Sequence, residues 1–161
     1  MTDYVGFFLN GGGDVMQLEC IEISHPSFTD TFRYVKNDTD GLVAGGVFYQ
    51  YQPMSIERNN VSNDLEQTIA VTIADMQDEL SIAVREIRKS ANPTTRPSVV
   101  YKIFRSDELS SPMLTLQTLE IVTISKNSEG LVTFEAQAPE LNSVKTGLTY
   151  TLENYPLLRG I

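Results

Sequence analysis

His25 is the single histidine of this chain and Cys20 its single cysteine, five residues apart in Cys20-Ile21-Glu22-Ile23-Ser24-His25. One histidine excludes a two-histidine metal motif and leaves one candidate base for any imidazole-driven nucleophile. One cysteine excludes an intrachain disulfide, and also a thiolate zinc site or iron–sulfur cluster built by a single copy. His25 stands before Pro26 at the end of a strand-like run, so hydrogen bonding within a turn is the expected role rather than general-base chemistry. Cys20 is expected to pack as a small hydrophobe, not to act as a reactive thiol.

Carboxylates fall in two sets that could serve paired-acid hydrolysis, Glu57, Asp64 and Glu66, then Asp75, Asp78 and Glu79. The first set flanks a polar connection and the second opens a helix, so solvated surface and helix capping are the expected roles. Asp38-Thr39-Asp40-Gly41 contains part of a calcium loop but lacks the later bidentate glutamate that such a loop requires. Gly11-Gly12-Gly13 lacks the lysine, the serine and the following helix of a phosphate-cradling loop. Tyr49, Tyr51, Tyr101 and Phe104 could stack on bases, but their strand spacing and the acidic chain favour core or interface packing. These residues therefore yield no catalytic, cofactor or metal site.

The elements that would carry these residues are mostly strands. Residues 1–14 end in a triple glycine and are expected to form a flexible arm or long loop, whose Tyr4, Phe7 and Phe8 need a partner surface. Strands are expected at about 17–23, stopped by Pro26, and at 31–36, followed by an Asx-rich loop. Residues 47–51 resume as strand, Gln52-Pro53 bends it, and 54–57 continue it. Alternation of Leu65, Ile69, Val71 and Ile73 with short polar or small residues predicts a strand over 65–73. A helix is expected from Asp75, with Met76, Leu80, Ala83, Val84 and Ile87 on one stripe and Asn92-Pro93 as the stop. Residues 98–105 are dense in β-branched and aromatic side chains. Residues 114–125 and 131–137 predict a long antiparallel pair around Gly130, and a last extended piece is expected at 148–152.

Seven or eight strands with one helix predict a mainly β (α+β) fold. The expected form is an antiparallel sandwich or partly closed barrel, with one amphipathic helix inserted between two strands. A chain of 161 residues suits a single β-rich domain over 15–161. Twelve basic against twenty-one acidic side chains give a net charge of −9, a field that repels a phosphate backbone. No run reaches the roughly twenty apolar residues of a membrane-spanning helix, and Val5 to Leu9 lacks the basic flank of a signal peptide, so no membrane insertion is expected.

The order Ala70-Val71-Thr72-Ile73-Ala74-Asp75-Met76, an amphipathic helix, then Arg96-Pro97-Ser98-Val99-Val100-Tyr101-Lys102-Ile103-Phe104-Arg105 resembles the minor tail proteins of long-tailed bacteriophages. Those of the L type build the upper tail hub. His25-Pro26-Ser27-Phe28, Phe48-Tyr49-Gln50-Tyr51-Gln52-Pro53 with Ile56, and Tyr155-Pro156-Leu157-Leu158-Arg159-Gly160 are similar to a related phage and prophage tail family. The resemblance implies a structural, non-enzymatic, ring-forming subunit of the virion tail tip, assembled in the bacterial host cytoplasm and joining the tube end to the central hub or fibre. It implies a homo-oligomer, a trimer by analogy, with the distal tail ring and central hub as partners and DNA passing non-specifically through an acidic lumen. The L-type proteins carry a further cysteine-bearing portion associated with an iron–sulfur cluster. With one cysteine here no cofactor is implied, and the chain is expected to correspond to the hub domain alone. A distal-tail, tube-like or tail-completion subunit is the near alternative. A carbohydrate- or receptor-binding sandwich and a carboxylate-dependent hydrolase are more remote ones.

Overall fold

The computed structural model describes residues 15–58, 68–75 and 77–138. The expected arm over 1–14, Asp64, Leu65 and Glu66, Met76, the expected strand at 148–152 and the Tyr155 to Gly160 motif lie outside the described residues. Within them the chain forms ten strands and one helix. The strands are β1 (Gln17–Ser24), β2 (Phe32–Val35), β3 (Leu42–Ala44), β4 (Val47–Tyr51), β5 (Met54–Arg58) and β6 (Thr68–Ala74). Helix α1 (Glu79–Ile87) is followed by β7 (Ser98–Arg105), β8 (Leu114–Thr115), β9 (Leu119–Lys126) and β10 (Leu131–Gln137). The architecture is mainly β and sandwich-like, and the sheet does not close into a barrel.

All ten strands belong to one sheet in the order β3-β4-β2-β1-β7-β9-β10-β6-β5, with β8 pairing to β7 off that path. Its middle is a bend. β7 and β9 pair over only Ser98↔Glu120 and Val99↔Leu119, whereas β1 and β7 pair along their whole length. The two halves on either side of that short ladder fold towards each other, so that Arg58 of β5 reaches to 5.7 Å from the ring centroid of Tyr101 on β7. Between the halves lies the larger core, with Ile21, Ile23, Tyr101, Ile69, Val71 and Phe134 among its buried residues. Leu80 of α1 joins it and Val84 packs against it, which gives the helix its place at the rim.

A second, smaller core occupies the opposite face of β1 and β7. Leu18, Cys20, Val35, Leu42, Tyr49 and Phe104 form it. The β3–β4 hairpin curls over that face, with Gly45 N–H donating to the Leu109 carbonyl at 2.8 Å and Tyr49 set 5.9 Å from Phe104. This explains why Ile21 interrupts the alternation of Leu18 and Cys20. A strand covered on both faces has no solvent side to keep polar, so successive residues Cys20 and Ile21 are both fully buried.

Three sequence expectations are corrected. The hairpin's first strand, β3, was not expected. Its turn is Gly45-Gly46 with φ of 58° and 79°, the two consecutive positive values that a two-residue turn matching strand twist demands. The long strand over 114–125 divides into β8 and β9: both pair with β7, but the register slips by one residue between Leu114↔Ile103 and Leu119↔Val99, which interrupts the ladder at residues 116–118. Helix α1 starts at Glu79 rather than Asp75, with Asp78 in the left-handed region (φ 59°) as its N-cap residue. Asp75 still accepts from a free helical N–H, that of Ser81 at 2.9 Å, but it does so from the end of β6, outside the helix.

Candidate functional site

The strand order has a consequence at Gln52-Pro53. β4 runs beside β2 near one end of the sheet, β5 runs beside β6 at the other, and only these two residues separate them in the chain. The link is stitched on both sides. Gln52 N–H donates to the Val35 carbonyl at 3.0 Å, Ala74 N–H donates to the Pro53 carbonyl at 3.1 Å, and the Gln52 amide also donates to the Ala74 carbonyl. Proline suits this place because its missing N–H leaves no ladder bond unmade and its fixed φ turns the strand.

A cavity of about 220 Å³ opens at this seam. Tyr34 of β2, Gln50 and Tyr51 of β4, Gln52-Pro53, Ala74-Asp75 at the end of β6, and Gln77 and Glu79 at the start of α1 line it. Asp75 is 5% exposed, and its Oδ2 accepts both the Ser81 N–H at 2.9 Å and the Ser81 hydroxyl at 2.5 Å. Tyr34 is 6% exposed. Burial, with the charges of Asp75 and Glu79, pushes its ionisation well above the ordinary tyrosine value. The phenol therefore stays protonated and able to donate.

Two further polar clusters flank β1 on its opposite faces. On the larger-core side, Glu19 accepts from Lys36 Nζ at 2.6 Å and the Tyr101 hydroxyl at 2.8 Å. On the smaller-core side, Glu22 accepts from Lys102 Nζ at 2.7 Å and the Tyr49 hydroxyl at 2.5 Å. Burial alone would raise both carboxyls. The lysine and tyrosine hydrogen bonds, with the charges of Arg58 near Glu19 and Arg33 near Glu22, outweigh it and hold both below the ordinary value. Each glutamate thus ties its own strand to two other segments, β7 and the residue after β2 for Glu19, β4 and β7 for Glu22. Such half-buried ion pairs recover little more than their desolvation cost, so their effect is chiefly on register.

The residues singled out in the sequence are dispersed. His25 is buried, its Nδ1 accepts from Ser27 N–H at 3.0 Å, and its Nε2 therefore carries the proton donated to the Thr95 carbonyl at 3.1 Å. Cys20 is fully buried and its thiol is pushed up to about 12 by desolvation and by the neighbouring Glu22 and Glu19 charges. Five residues of extended strand put it roughly 16 Å from His25. Glu57 lines a separate cleft of about 410 Å³ with Arg58, Val122 and Glu135, away from the seam. Asp78 pairs with Lys126. Asp38 accepts from Asp40 N–H at 3.2 Å in an Asx turn, and no group of three metal-ligating side chains occurs among the described residues. Tyr49, Tyr101 and Phe104 are core residues, whereas Tyr51 is half-buried at the seam.

Of the described members of the two acid sets only Asp75 and Glu79 come together at a cavity, and their companions Tyr34, Gln50 and Gln52 are missed by sequence reasoning. Nothing local marks these three, because they converge only when β2, β4 and β6 do. Glu19 and Glu22 did leave a signal. Two charges inside Leu18-Glu19-Cys20-Ile21-Glu22-Ile23 conflict with a strand buried on both faces unless each has a buried partner.

Residues 8–130 match the family described as Domain of unknown function (DUF1833). The chain belongs to that family. The matched stretch contains the whole seam and both glutamate clusters, and stops one residue before β10. Since β10 pairs with both β9 and β6, the folded unit of this DUF1833 protein extends past the matched residues, to Gln137 at least. Comparison with curated proteins gives no match.

Proposed function

We propose that this protein is a structural component of a bacteriophage tail tip, a ring-forming minor tail or upper-hub subunit that joins the tube end to the central hub. The observation that carries the reading is the ordered set of motifs resembling the minor tail proteins. Its described residues occupy architectural positions. His25 and Phe28 build the turn after β1, with rings 5.3 Å apart, and Phe48 to Pro53 makes β4 and the seam link. Ala70 to Asp75 and Ser98 to Arg105 supply β6 and β7, one in each half of the folded sheet. A ring subunit must hold its shape under axial load, and a bent sheet stitched at its far ends by hydrogen bonds suits that demand. The net charge of −9 also fits a lumen through which DNA slides without sticking.

Mass spectrometry of purified virions tests the reading. The expected result is this chain at a few to a dozen copies per particle, with antibody labelling at the tail end. Its absence from tailed particles would overturn the proposal. A sixfold ring in a reconstruction of the tail would move it from the hub to the distal tube.

A further inference from the structure

The seam cavity has the chemistry of a cation pocket. Among the described residues its lining contains two carboxylates, Asp75 and Glu79, three amide side chains, two phenols and no basic residue. Asp75 directs only Oδ2 at Ser81, so Oδ1 keeps its acceptor capacity. Tyr34 is nine-tenths buried in the lining, and its hydroxyl has no hydrogen-bond partner among the described residues. The hydroxyl oxygen itself keeps access to solvent, because it is not among the fully buried atoms left without a partner, so it can accept from a group in the cavity. The start of α1 opposes a cation with roughly half a positive charge, but two carboxylates at the same place outweigh it.

We propose that this cavity binds the guanidinium group of an arginine side chain presented by a protein partner. The acceptors are spread over β2, the end of β6 and the first residue of α1, so a planar fork with five donors can reach several at once, whereas an ammonium is a point charge. The Tyr51 ring offers a face on which a guanidinium stacks. A divalent cation is disfavoured because no third carboxylate, histidine or cysteine joins Asp75 and Glu79 among the described residues. The acidic net charge steers a basic surface towards the pocket. The assignment stands independently of the tail-tip reading, since it requires only the seam.

The test is a ¹⁵N NMR titration of the full chain with the blocked peptide acetyl-Gly-Arg-Gly-amide, run beside its lysine and citrulline counterparts and free agmatine. The expected result is saturable shifts centred on Tyr34, Gln50, Gln77 and Glu79 with the arginine peptide. The lysine peptide should bind several-fold more weakly, and the citrulline peptide should give no saturable shift. Glu79→Gln should weaken the arginine peptide about tenfold, the loss of a charge-assisted hydrogen bond, and Tyr34→Phe about fivefold. Amide spectra that otherwise overlay the parent protein's would show that both variants fold. Equal binding of the citrulline peptide, or unchanged binding in both folded variants, would overturn the proposal. Saturation by agmatine without binding of the arginine peptide would overturn the partner assignment in favour of a free small cation.

Discussion

Raising the pH beyond the ordinary tyrosine range is expected to unfold this protein abruptly, and the steepness follows from four particular side chains. Cys20, Tyr34, Tyr49 and Tyr101 are buried acids. Burial pushes each one up from its ordinary value, 9.0 for the thiol and 10.0 for the phenols, with nearby glutamate or aspartate charges adding to the shift. Folded and unfolded chains both hold these protons below those values, so there the contribution to stability is whole. As pH rises the unfolded chain ionises first, and stability falls until the folded groups ionise too. Each group that is protonated only in the folded state contributes a slope of about 1.4 kcal/mol per pH unit. Four together give about 5 kcal/mol per unit, against a total stability of about 5–15 kcal/mol for a domain of this size. Unfolding should therefore be complete within about one to three units above pH 10. Urea midpoints followed by circular dichroism at intervals from about pH 8 to 11 measure the slope directly. Tyr101→Phe should reduce it by about a quarter, and Cys20→Ala by a similar share. A midpoint that stays constant up to about pH 11, or a slope untouched by either substitution, would refute the reasoning.

The acid limb should behave oppositely at Glu19 and Glu22. Their carboxyls lie below the ordinary value of 4.5, so their contribution is present above that value and is lost as pH falls through the folded range. Glu19→Gln and Glu22→Gln should each cost on the order of 1–2 kcal/mol at neutral pH and flatten the loss of stability below about pH 4, as read from urea midpoints. Gly41→Ala should destabilise by about 1–2 kcal/mol in thermal melts. Gly41 has φ +80°, and an added Cβ would lie 2.7 Å from the Phe48 ring. Adding Phe48→Ala should relieve only the part due to the clash. Ser81→Ala should cost about 1 kcal/mol or less, and Asp75→Ala more, because the latter also strands the Ser81 N–H at the helix start. Equal losses in the two variants would show that the hydroxyl, not the backbone bond, holds α1.

Much of the local architecture was legible in the residues. Ser98 to Arg105 and Leu131 to Gln137 form strands with the expected ends, since runs of β-branched and aromatic residues bounded by Pro97 or Gly130 admit little else. Pro53 marked the bend between β4 and β5 for the same local reason. The β3 strand was hidden because three residues carry too little periodicity, although Gly45-Gly46 was a usable sign of the hairpin. His25 proved local only in part: Ser27 supplies its Nδ1 partner within the turn, whereas its Nε2 partner, the Thr95 carbonyl, comes from a segment far along the chain.

What the sequence determined by itself is a set of short-range preferences: mainly β, one amphipathic helix, an acidic chain, and a single cysteine and histidine with no partners for chemistry nearby. Tertiary structure alone decided that β4 and β5, consecutive in the chain, belong to opposite ends of one sheet, and so brought Tyr34, Asp75 and Glu79 to a common cavity. It also decided that both faces of β1 are covered, so that Glu19 and Glu22, which strand alternation already sets on opposite faces, meet Tyr101 and Tyr49 respectively. The physical reason is the same in both cases. Strand alternation and turn chemistry act over a few residues, whereas the sharing of one cavity or one buried ion pair depends on which distant strands pair, and pairing is settled by burial summed over the whole sheet.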